Sequence, residues 1–225
     1  MVRINKWFVG FISLMLILLI YPCTAFAANI QIDGNFDDWQ GKASIADPTY
    51  DAFPSGDIVK FYWATNEGDS NLYFMIDRLG FGEHNDPLPV TYRLNLDIND
   101  NGIYHNGIDR YALITYAPFL DGLITVMVFK GNDQWINYYI GNWGEGGRDG
   151  GQKCEFSIQS DDLSNYPGQS LRMYVTSYGL IEDRVPDTGD IQWSPIPILG
   201  TWVLGGIFVL GLIFASIKIV RNKTT

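Results

Sequence analysis

Val90-Thr91-Tyr92-Arg93-Leu94-Asn95-Leu96-Asp97-Ile98 sets an apolar side chain at every even position and a polar one at every odd position. Period two sends successive side chains to opposite sides of an extended backbone, so residues 90–98 predict a strand with one buried and one wet face. Similar runs predict strands at 58–64, 72–77, 111–116, 123–130, 135–140, 153–158 and 171–178. Clusters of Gly, Asn, Asp and Pro separate them, as at 66–71, 82–89, 131–133 and 141–151. Nothing before residue 194 sustains a helical period. Many short strands with frequent turns predict an all-β, antiparallel β-sandwich of the jelly-roll or immunoglobulin-like kind. Residues 28–193 are long enough for one such domain, burying about 70% of its unfolded surface. Residues 187–197, with Gly189, Pro195 and Pro197, read as a tether leading out of it.

Outside that stretch the chain changes character. Arg3 and Lys6 precede an apolar run at 7–20, and Ala25-Phe26-Ala27 places small residues where a signal peptidase inspects them. Residues 1–27 therefore read as a signal peptide cleaved after Ala27 or Ala28. The run falls short of the roughly 20 apolar residues an uncleaved anchor needs. Cys23 is a poor lipidation site, because Ile20-Tyr21-Pro22 lacks small residues before it. At the other end residues 196–217 carry no charge, and Lys218, Arg221 and Lys223 follow. That length matches a hydrocarbon core of about 30 Å, so 194–217 read as a Pro-containing tether and transmembrane helix, with 218–225 as a basic cytoplasmic tail. A buried core helix fits less well, since no polar stripe interrupts the apolar surface. The expected location is the outer side of a cell membrane.

All 25 acidic residues lie between Asp33 and Asp190 but only 10 of the 15 Lys and Arg do, leaving this part of the chain at −15. Nucleic-acid binding depends on cations that neutralise phosphates, so it is excluded as a function class. Only Cys154 follows the signal, so no internal disulfide is expected and the core must hold the fold. Cys154 alternates with Phe156 and Ile158 and is expected to point inward as a small apolar residue; a catalytic thiol is the alternative.

The sharpest local signal is Asp97-Ile98-Asn99-Asp100-Asn101-Gly102. Side-chain oxygens at the first, third and fifth positions, with Gly at the sixth, suit a tight loop around Ca²⁺, which takes six to eight oxygens. The candidate ligands are Asp97, Asn99, Asn101, the Ile103 carbonyl and Asp109; position twelve is Ile108, so this is no EF-hand. Asn101-Gly102 is equally a strong hairpin turn without an ion. A second candidate, Asp37-Asp38-Trp39, reads as a turn with Trp39 as a core anchor, and Trp63 reads as core. A third comprises Trp135, Tyr138, Trp143, Glu145 and Arg148. Indoles stack on the apolar faces of sugar rings, and neighbouring amides and charges bind hydroxyls. The alternative keeps Trp135 in the core and Trp143 as loop filling. His84 and His105 lie in polar loops, and Met75, Met127 and Met173 in strands, which leaves a haem-binding domain as a minor reading. No nucleophile motif, phosphate loop or zinc spacing is present, so no enzyme activity is expected.

The order of these pieces resembles the family 9 carbohydrate-binding modules and related sandwiches. IQIDGNFDDW (30–39) is similar to that family's opening strand and Asp-Trp pair. GDIVKFYWATNEGDSNLYFMID (56–77) is similar to its first hairpin. YRLNLDINDNGIYHNGIDRYALI (92–114) resembles its strand, Asp/Asn-rich loop and return strand. CEFSIQSDDL (154–163) resembles its Glu-bearing strand, and DRVPDTG (183–189) a closing element. The resemblance covers most of residues 30–190 and implies a sandwich, structural calcium and a sugar gripped between aromatic rings. The C-terminal segment resembles Gram-positive sorting signals processed by exosortase-like enzymes, without a Leu-Pro-x-Thr-Gly motif. The implied partners are a carbohydrate or cell-surface glycan, the membrane and such a processing enzyme. A surface adhesion protein is the other class kept open.

Overall fold

The even positions of 90–98 do turn inward: Val90, Tyr92, Leu94, Leu96 and Ile98 are all buried in a computed structural model of the chain. It describes residues 28–80, 90–116, 123–142, 152–165, 168–178 and 181–195. Their strands are β1 (Ala43–Ala46), β2 (Ile58–Thr65), β3 (Asn71–Arg78), β4 (Val90–Asp97), β5 (Arg110–Tyr116), β6 (Leu123–Lys130), β7 (Trp135–Asn142), β8 (Lys153–Gln159), β9 (Leu171–Tyr178), β10 (Arg184–Val185) and β11 (Ile191–Trp193). The only helical element among the described residues is a 3₁₀ turn at Phe36–Trp39. The expected all-β, antiparallel architecture is present.

The strands follow one hydrogen-bonded path, β1-β2-β3-β8-β7-β6-β5-β4-β9-β10, with β11 beside β9. Every pairing is antiparallel. The sheet curls nearly into a barrel, because its far ends approach each other: Asp183, just before β10, accepts a hydrogen bond from the Ile58 amide of β2 at 2.6 Å. Midway, β7 and β8 share a single bridge, Asn142 opposite Glu155. Gly141 makes that crossing possible, since a Cβ there would meet the Glu155 carbonyl at 2.5 Å and the Ile124 side chain at 2.6 Å.

Alternate residues of every long strand fill one core. Phe74 stacks on Phe61 and on Phe156 with ring centroids 6.0 and 5.4 Å apart, and Ile114, Val126, Met173 and Val175 close over them. Cys154 is wholly buried in the same cluster, and burial raises its thiol pKa. It is apolar filling, as expected.

A second, smaller cluster forms on the opposite face of β2, β3 and β8. Ile30 and Trp39 pack on Tyr73 and Met75, with Ile32, Phe36, Tyr62 and Ala64 around them. The segment before β1 thus covers the outer face of this part of the sheet. Glu155, outward on β8 and fully buried by that cover, holds it down. Its Oε1 accepts from the amides of Asp33 (2.8 Å) and Gly34 (2.7 Å), and its Oε2 from the Trp39 indole (2.8 Å).

One expectation is corrected. Residues 187–197 are not simply a tether, because Ile191–Trp193 pair with β9. Ile191 is buried, and Trp193 lies edge-on to Phe74 at 6.0 Å. Apolar side chains at 191 and 193 find the core, and this outweighs the neighbouring prolines. The expected signal peptide at 1–27, the apolar segment at 196–217 and the basic tail lie outside the described residues. Among the described residues no helix is long and apolar enough to cross a membrane.

Candidate functional site

Directly opposed residues of antiparallel neighbours point to the same face, so strand register maps the outside of the sheet. Across β7, β6, β5, β4 and β9 one outward row runs Trp135, Phe129, Tyr111, Asn95, Tyr174. The next runs Tyr138, Met127, Leu113, Arg93, Thr176, and the third Ile140, Thr125, Thr115, Thr91, Tyr178. An outward face this rich in rings and aliphatic groups departs from the polar exterior that alternation normally provides. Trp135, Tyr138, Ile140 and Tyr178 are 59, 56, 55 and 42% exposed.

On the same face the neighbouring side chains pack on one another. Tyr111 and Phe129 stack with centroids 5.0 Å apart. The Arg93 guanidinium lies 3.9 Å from the Tyr111 ring and donates to the Tyr178 hydroxyl at 3.4 Å. Tyr111 donates to Asp133 at 2.9 Å; burial and that carboxylate push its phenol up to about 12, so it remains a donor at neutral pH. Tyr104 lies edge-on to Tyr174 at 4.8 Å, and Arg184 covers the Tyr174 ring at 4.2 Å. The residues 98–109 are held against this edge at Gly131, where a Cβ would meet the Asn106 and Tyr104 carbonyls at 2.4 and 2.7 Å. Such a face offers flat rings to a guest at small cost in side-chain ordering.

Trp135 is therefore an exposed residue and not a core one, and Tyr138 lies beside it on the same face. Trp143, Glu145 and Arg148 fall outside the described residues, as does His84. Trp39 is a core anchor, 2% exposed, whereas Trp63 is half-buried against the core. His105 is exposed, while Met75 and Met173 are buried in the two apolar clusters.

The residues 97–109 close on themselves. Asp97 Oδ1 accepts from the Asn101 amide (3.2 Å) and Oδ2 from the Gly102 amide (2.6 Å), while Asn101 Oδ1 accepts from the Ile103 amide at 2.8 Å. Asp100 pairs with Arg172. Asp109 Oδ1 accepts from the Ile98 amide at 3.2 Å, and its Oδ2 is sealed from solvent without a hydrogen-bond partner. Burial, then the nearby Asp97, raises the Asp109 pKa against two backbone hydrogen bonds. The hydrogen bonds are those of a capped turn; Asn99 and Ile103 are exposed beside it.

Two further places lay beyond sequence reasoning. A cleft of about 550 Å³ opens beside the N-terminal cover, with Phe36, Tyr62, Lys42, Lys60 and Lys153 on its walls. Separately, one carboxylate oxygen from each of Asp47, Asp51, Asp183 and Asp187 lies within 4.8 Å of the others. Burial first, then its acidic neighbours, pushes Asp47 up to about 7. The only advance signal was the DRVPDTG stretch, which carries Asp183 and Asp187 but does not point to their partners.

No protein-family model matches the chain, and neither the curated proteins nor the solved structures hold a match to it.

Proposed function

We propose that this chain is a non-catalytic cell-surface protein, anchored by its C-terminal apolar segment, whose β domain binds carbohydrate on the outward face of β5, β6 and β7. The observation that carries the reading is the joint exposure of Trp135 and Tyr138 on the face that bears the stacked Tyr111–Phe129 pair. Sugar rings present apolar C–H faces that match such a surface, and Thr115, Thr125 and Arg93 supply polar groups in the adjoining rows. The curled sheet is read as a sandwich of the family 9 carbohydrate-binding-module kind. Trp143, Glu145 and Arg148, which follow β7 in the chain, belong to this proposal on sequence grounds. Calcium held by Asp97, Asn99, Asn101, Ile103 and Asp109 would fix the neighbouring turn and take no part in chemistry. The membrane-outside placement rests on the signal-like start and the charge-free run at 196–217, and an exosortase-like enzyme is the proposed processor of that end.

An array of immobilised plant, fungal and bacterial polysaccharides, probed with the full chain, tests the reading. Binding to at least one glycan, abolished by Trp135→Ala with Tyr138→Ala, supports it. Silence on every glycan retires it.

Adhesion to a protein partner is the second reading, favoured by the exposed Ile140 and by Met127 and Leu113 in the adjoining row. It expects no glycan signal and self-association or partner capture that Ile140→Asp removes.

A further inference from the structure

We propose that Asp47, Asp51, Asp183 and Asp187, with the buried Asp57 nearby, form a calcium-class cation site that clasps the segment before β2 to residues 183–187, where the two ends of the sheet meet.

Four of these aspartates each place an oxygen within 4.8 Å of the others. Two oxygens on opposite sides of Ca²⁺, at about 2.3–2.6 Å from it, are about 4.6–5.2 Å apart, so the four fit one coordination shell. Magnesium, with ligands at about 2.0–2.1 Å, would need them drawn closer.

Asp57 gives an independent sign. It is wholly buried, and its Oδ1 has no hydrogen-bond partner, whereas its Oδ2 accepts from the Tyr50 amide at 2.6 Å. It lies close enough to Asp47, Asp51 and Asp183 for their charges to act on one another. Asp47 Oδ2 is likewise sealed and unpartnered. Two carboxylate oxygens cut off from water, beside three further carboxylates, lack a donor or a positive counterpart among the described residues.

Among the described residues the cations do not supply it. The charges acting most strongly on Asp47 are all aspartates. Arg184, between Asp183 and Asp187 in sequence, is turned to the carbonyls of Pro186 and Gly189, to Asp190 at 2.9 Å and to the Tyr174 ring.

The test uses the purified full chain in detergent, stripped with EDTA and titrated with CaCl₂, MgCl₂ or TbCl₃. Asp51→Asn and Asp187→Asn are the informative variants, since both residues are exposed. Asp183→Asn is avoided because its carboxylate holds the Ile58 amide. The expected result is a rise in melting temperature with calcium, smaller with magnesium, and an affinity lowered about tenfold or more by either variant. Asp97→Asn, which bears on the separate calcium proposed for the 97–109 turn, should leave in place the part of the rise that Asp51→Asn and Asp187→Asn remove. No calcium-dependent rise overturns the proposal. So does a rise that Asp51→Asn and Asp187→Asn leave intact, or one that Asp97→Asn abolishes.

Discussion

The outer face of β2, β3 and β8 and the outer face of β5, β6 and β7 belong to one curled sheet and carry similar aromatic cargo, yet the chain treats them differently. The first bears Tyr62, Tyr73 and Met75 and is roofed by Ile30, Phe36 and Trp39. The second bears Tyr111, Phe129 and Tyr138, and its most prominent groups, Trp135 and Ile140, stand more than half exposed. Apolar surface on the outside of a sheet is stabilised only when something removes it from water. On one side the chain does this itself, with Glu155 as the fastening. On the other, no described residue covers Trp135 or Tyr138. The contrast separates aromatics that hold the fold from aromatics offered to a guest.

The largest expected effect falls on the roofed side. Trp39→Ala removes a buried indole and its hydrogen bond to Glu155, and should cost about 3–5 kcal/mol in chemical unfolding of the full chain. A loss below about 1 kcal/mol would mean the N-terminal cover is not part of the folded unit.

The fastening itself is pH-sensitive. Burial pushes Glu155 up to about 7, against the hydrogen bonds that favour its charge. A carboxyl with a raised folded pKa binds more protons folded than unfolded between about 4.5 and 7. Its contribution is therefore full below pH 4.5, declines as pH rises through 7 and is constant above. Glu155→Gln should remove a decline of about 1–3 kcal/mol across that window, while losing an acceptor for Trp39. Stability curves of wild type and variant that stay parallel between pH 4.5 and 8 would contradict this origin.

Where the sheet turns from one face to the other, Gly141→Ala forces a methyl against the Glu155 carbonyl and should cost about 1–3 kcal/mol, read as a lower urea midpoint. On the open side the effect on stability should be smallest. Trp135→Ala should change unfolding by less than about 0.5 kcal/mol, since the indole buries little. Its effect should appear in binding instead, as a loss of about tenfold or more for any glycan bound.

Much of this architecture was readable in the residue order. The strands at 123–130 and 171–178 match their expected bounds, and six others match within two residues, because alternation over seven or eight positions has one plausible period. β1, β10 and β11 are four, two and three residues long, too short to display any period. Their pairing follows from register with β2 and β9, a tertiary fact. Trp39 was readable as a core anchor, but its partner Glu155 lies 116 positions away, and nothing local links the two. Trp135 followed the same logic in reverse. A register shift between Val128 and Phe129 alters the phase of β7 at its start, so strand alternation alone did not decide which side its indole takes. The aspartate cluster was hidden because 47–57 and 183–187 meet only when the sheet curls.

Hydroxyl-radical footprinting of the full chain, free and with a polysaccharide retained from the array, tests the contrast between the two faces most directly. Trp135 and Tyr138 should oxidise readily in the free chain and become protected on binding, with Trp39 unreactive in both states. A slow Trp135 in the free chain, or one whose oxidation the bound polysaccharide leaves unchanged, would contradict an open face built to receive a sugar.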